Sequence, residues 1–168
     1  EQAGRPSCLW TFAVRFWCIM QNIEVRDGES AWHSQHGEGH FTSALRLPFG
    51  SLVSFLPKPQ TVKALPKFEP RGVQGILVGY RLHSGAKWTK DYLVFPVRYF
   101  DGYDYSRPRN LLELIPVTTQ EVKRISSEVT FPLKKAYDLY RNFPTSQLPS
   151  CIIRPGEAQS CDEFADKP

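Results

Sequence analysis

At 168 residues the chain is long enough for one domain or two small ones, and 41% hydrophobic residues suffice for a core. The 14 prolines and 11 glycines favour turns over long helices, and the net charge of +4 is too mild to dictate a partner by itself. Four cysteines without a CxxC pair (Cys8, Cys18, Cys151, Cys161) resemble neither a disulfide framework nor a zinc ribbon, which points to a reducing, intracellular setting, nuclear or cytoplasmic.

Residues 7–23, SCLWTFAVRFWCIMQNI, read as a helix, with Ser7 as N-cap after Pro6. Leu9, Phe12, Phe16, Ile19 and Ile23 recur at helical spacing, and so do Trp10, Ala13, Trp17 and Met20. The apolar run 9–23 is too short for a membrane span and carries Arg15. It lacks the basic start and small-residue cleavage site of a signal peptide. A helix apolar on nearly every side has to be covered on most of them, so a partner layer from outside the chain is expected. The chain starts at Glu1 rather than Met, and a piece of something longer is the expectation. Alone, the full chain should associate, and a chain starting near Leu45 should behave better.

Residues 24–45 are polar and read as a linker. Here His33, His36 and His40 raise the question of a metal site. Gly37 and Gly39 disfavour one continuous helix. No glutamate stands where a paired-histidine zinc motif needs one. A glycine-rich connector is the preferred reading, and no metal or other cofactor is expected.

From 46 to 130 the pattern becomes β. Strands are expected over 49–56, 75–80 and 92–95, the last preceded by Lys87-Trp88 and prolonged over 97–100. Residues 60–71 are a basic loop, 83–86 a turn, and 102–108 another loop. A weak strand or helix is expected over 111–115 and a strand over 122–125. Several short strands with turn signals argue for a small barrel. A short helix is expected within 131–144, and 145–168 turns polar and acidic, with disorder expected there. Gly50, Gly72, Gly75 and Gly79 suit strand bends or close backbone approach. Asp91, Asp101 and Asp104 read as turn residues.

Charge is unevenly spread. Residues 46–100 hold nine Lys and Arg against two acids, a net of +7, whereas the tail from Gly156 sums to −3. The middle is therefore the part suited to a polyanion, although solvated surface is the common outcome for such residues.

Two blocks carry a resemblance. LWTFAVRFWCIMQNI resembles the last helix of the integrase core in copia-type retrotransposon polyproteins. The stretch Phe49-Gly50, then Lys67-Phe68, then Gly75-Ile76-Leu77-Val78-Gly79-Tyr80 resembles the region just downstream of that core. The likeness covers about residues 8–100, with a fainter echo to about 143, and it rests on the order and spacing of the blocks. It implies a mainly β fold: a small SH3-like barrel preceded by one helix of an RNase H-like core, with residues 1–23 as the core helix. It implies integration chemistry carried by three carboxylates and two metal ions. Those carboxylates fall outside this chain, so no catalytic residue and no enzyme activity are expected of it.

The resemblance also implies weak, phosphate-mediated DNA contact by the barrel, with the remainder of the integrase polyprotein as a second partner and no membrane. The basic candidates are Lys58, Lys63, Lys67, Arg71, Arg81, Lys87 and Lys90, and Trp88 is a stacking candidate. Tyr80 is a further stacking candidate, with core packing the favoured reading. A competing expectation is a small-barrel interaction module reused by a host protein, binding a peptide through Tyr80, Trp88 and Tyr92. A free-standing hydrolase or metalloenzyme using the histidines is a third expectation.

Overall fold

The computed structural model describes residues 9–37, 41, 44–57, 71–100 and 115–142. Helix α1, Trp10–Ile23, starts after Leu9, which has no side-chain cap, and Ser7 lies outside the described residues. It stops where Glu24 turns extended. Ala13, Phe16, Ile19 and Ile23 form its buried face, while Trp17 remains 61% exposed and Val14 40%.

Within the segment expected to be a linker, several described residues pack into the core. Helix α2, Ala31–His36, is short but properly bracketed: the Ser30 hydroxyl accepts from the His33 amide, and Gly37 closes the end in the left-handed region. Trp32 of α2 and Phe41 after it are buried in the same core as α1.

Five antiparallel strands form one sheet: β1 Leu52–Phe55, β2 Val73–Leu82, β3 Trp88–Pro96, β4 Val117–Thr119 and β5 Val122–Arg124. The order is β4-β3-β2-β1-β5. The two edge strands are consecutive in sequence and joined only through Gln120 and Glu121. That short link draws the sheet's ends together. The Thr119 hydroxyl donates to the Leu56 carbonyl at 2.8 Å, and the Leu56 amide to the Glu121 carbonyl at 3.2 Å. The fold is mainly β, as the sequence led one to expect, and this sheet is compatible with a small barrel-like domain. Residues 97–100, expected to prolong β3, form a 3-10 turn, Val97–Phe100, and β4 was not foreseen.

The sheet buries both faces, which explains why β2 reads as a continuous apolar run. One core holds Val53, Phe55, Leu77, Tyr80, Tyr92 and Val94 with Phe16, Ile19, Ile23, Trp32 and Phe41. The other holds Ile76, Val78 and Phe95 with Leu9, Phe100, Leu133 and Ala136. The last two lie on α3, Pro132–Asn142, whose opening proline suits a first helical turn. Helix α1 feeds both cores and is part of this fold. Removing residues before Leu45 would strip that cover, which reverses the expectation that the shorter chain behaves better.

One irregularity redirects a side chain. Leu77 faces Val94 and Gly79 faces Leu93, so Val78 is an extra residue on β2. A one-residue insertion flips every later side chain to the other face. Tyr80 consequently joins Leu77 in the first core, 3% exposed. Gly79, at φ 157°, accommodates the bulge.

Candidate nucleic-acid interface

The basic candidates divide by position. Lys58, Lys63 and Lys67 lie outside the described residues. Arg71 precedes β2, about 30 Å along the strand from the far end of β2. Arg81, Lys87, Trp88 and Lys90 come together at the β2–β3 tip, because β2 and β3 are hairpin partners. The His83 amide donates to the Lys87 carbonyl at 2.8 Å and closes the turn. Between them a 3-10 turn, Ser84–Ala86, contains Gly85 at φ 74°.

Arg81, Lys87 and Lys90 are exposed. Among the described residues none of the three has an ion-pair partner. Trp88 is half-buried and already engaged. Its ring lies 4.6 Å from Phe41, 5.5 Å from Tyr92 and 5.9 Å from Tyr80, and its indole N–H donates to the Asp91 carbonyl at 3.0 Å. Tyr80 and Tyr92 are both buried core residues. The aromatic side chains considered for base stacking or peptide binding are thus used mainly to hold the fold.

Sequence reasoning missed the polar centre of the tip. Tyr80 pairs Tyr92 and Leu82 pairs Trp88, so Thr89, Lys90 and Asp91 stand opposite Arg81 alone. Asp91 is therefore part of an irregular strand, where a turn residue was expected. Its carboxylate Oδ2 lies 2.9 Å from His83 Nε2 and accepts from the Thr89 hydroxyl at 3.1 Å. Oδ1 accepts from Gln120 Nε2 at 3.2 Å, tying the tip to the β4–β5 link. The His83 hydrogen bond, more than any other influence, holds the Asp91 carboxyl below its ordinary range; Gln120 and Thr89 add to it and burial opposes it. The polar run Lys87 to Asp91 could have flagged this cluster, but Gln120 carries no local signal. Lys123 and Arg124, on β5 just beyond that link, are exposed cations that sequence reasoning also passed over.

The histidines do not converge into a described metal site. His33 and His36 lie on α2, His36 packs on Trp32 at 4.4 Å between rings, and His40 is outside the described residues. Among the described residues no three potential metal ligands cluster, and no helix is long and apolar enough to cross a membrane. Asp101 and Asp104 lie outside the described residues. No protein family, curated protein or solved structure matches this chain.

Proposed function

We propose that the chain is the end of an integrase-like core and the following SH3-like barrel of a copia-type retrotransposon polyprotein. On this reading it is non-catalytic alone, acts in the nucleus or cytoplasm, and holds DNA weakly through phosphate contacts. The order of the two sequence blocks supports the family assignment, and a barrel-like sheet behind an apolar helix is compatible with it. One observation carries the DNA contact: Arg81, Lys87 and Lys90 are grouped on one hairpin end without an ion-pair partner among the described residues. Such a cluster neutralises phosphates and reads no bases, so binding is sequence-independent and salt-sensitive. The outer stripe of α1, with Trp17 and Val14 exposed, is where the remainder of the polyprotein packs.

The alternative, a reused interaction module, is favoured by that same stripe alone, because Tyr80 and Tyr92 are buried. Fluorescence anisotropy with a labelled duplex separates the two. Binding at low salt that falls linearly in log–log form as salt rises supports the DNA reading. Unchanged anisotropy at micromolar protein and low salt refutes it.

A further inference from the structure

The β2–β3 tip combines an interrupted pairing with a left-handed residue. Three residues, Thr89 to Asp91, face Arg81 alone, so the strand pairing is interrupted here. Lys90 also sits at φ 65°, a left-handed conformation uncommon for residues other than glycine and sustained by the surroundings. Those surroundings are organised by one carboxylate. Asp91 contacts His83 from the β2 side of the turn, Thr89 from its own strand and Gln120 from the β4–β5 link. Gln120 also donates to the Thr89 carbonyl at 3.4 Å, a second tie to the same excursion.

Charge alone does not explain an acid at this place. Between Arg81 and Tyr92, Asp91 is the sole acidic residue beside three cations, and it repels the phosphates that those cations attract. Its contribution to a basic tip is geometric. Binding through mobile side chains loses affinity to the ordering of each one, and a backbone already fixed in the bound shape avoids part of that loss.

We propose that Asp91 is a positioning residue: tied to His83, Thr89 and Gln120, it fixes the tip so that Arg81, Lys87 and Lys90 meet a phosphate backbone as one preformed cluster. This role rests on the nucleic-acid reading above.

Positioning and charge predict opposite signs for one substitution. Asp91→Asn makes the tip more positive, so simple electrostatics predicts tighter binding to a duplex. The positioning role predicts binding about three- to tenfold weaker. Gln120→Ala leaves the charge untouched, removes the anchor on the β4–β5 link, and is expected to weaken binding in the same direction.

The test uses the full chain as wild type, Asp91→Asn and Gln120→Ala, with two readouts: dissociation constant for a labelled duplex at fixed low salt, and amide hydrogen exchange over residues 83–91 without DNA. The expected result is faster exchange at the tip and weaker binding in both variants. Binding by Asp91→Asn that equals or exceeds wild type overturns the positioning role while leaving the nucleic-acid reading in place. Failure of wild type to bind the duplex overturns that reading and this role with it.

Discussion

Tyr80 and Tyr92 hold the same residue from two sides: the Tyr80 hydroxyl donates to the Leu45 carbonyl at 3.0 Å, and the Tyr92 hydroxyl accepts from the Leu45 amide at 2.8 Å. The pair fastens the chain before β1 onto the hairpin. Tyr80→Phe removes that donor from a half-buried carbonyl and should cost about 0.5–1.5 kcal/mol in denaturant unfolding. Burial, then the neighbouring Tyr92, pushes the Tyr80 phenol up to about 12, with the Leu47 backbone and Arg46 opposing. The unfolded chain therefore releases this proton first, near pH 10. The contribution to stability is complete below pH 10 and declines as pH rises toward about 12, by about 3 kcal/mol in all. Unfolding midpoints in wild type that fall no faster than in Tyr80→Phe across this range would contradict the assignment.

Asp91 has the opposite dependence. Its carboxyl is held below the ordinary range, chiefly by His83. The folded tip thus binds its proton less readily than the unfolded chain. Its stabilisation is complete above the ordinary carboxylate range and is lost as pH falls through the lowered folded value. Carbon-detected NMR titration should show Asp91 protonating after an unperturbed carboxylate does. Titration at or above the ordinary value would remove the network as the tip's organiser.

Phe16 tests whether α1 belongs to the fold. Its ring stacks on Tyr80 with centroids 5.9 Å apart and meets Phe49 edge-on at 5.6 Å. Phe16→Ala should cost about 3–5 kcal/mol, and a chain beginning near Leu45 should lose cooperative unfolding. Trp17→Ser, on the exposed side of the same helix, should change stability by less than about 0.5 kcal/mol. Equal effects at the two positions in thermal melts would mean that α1 does not pack as described.

Gly75 marks close approach inside the sheet. A Cβ there would run into Val94 and lie 2.8 Å from the Phe55 ring. Gly75→Ala should destabilise by about 1–3 kcal/mol through overpacking, whereas Gly28, with open space around it and φ 89°, suffers only from its backbone conformation. A neutral Gly75→Ala in denaturant unfolding would contradict the packing.

Much of this was legible locally. The apolar periodicity of 9–23 marked α1, and the run 75–80 marked the centre of β2. Ser30 and Gly37 bracketed α2 with a start and a stop signal that the surrounding polar residues obscured. What stayed hidden depends on distant partners. The Val78 bulge that turns Tyr80 inward is a register effect between two strands. The Asp91–Gln120 bond joins residues 29 apart. A helix apolar on most sides suggested a missing layer, but Phe16, Ile19 and Ile23 find their cover in the core against the sheet, while an apolar stripe with Val14 and Trp17 stays exposed.

The most direct measurement is amide chemical-shift mapping of the full chain titrated with a short duplex at low salt. The largest changes are expected on residues 81–91 and Gln120, and raised salt should reverse them. Changes confined to α1 or α3, or no change at saturating duplex, would contradict it.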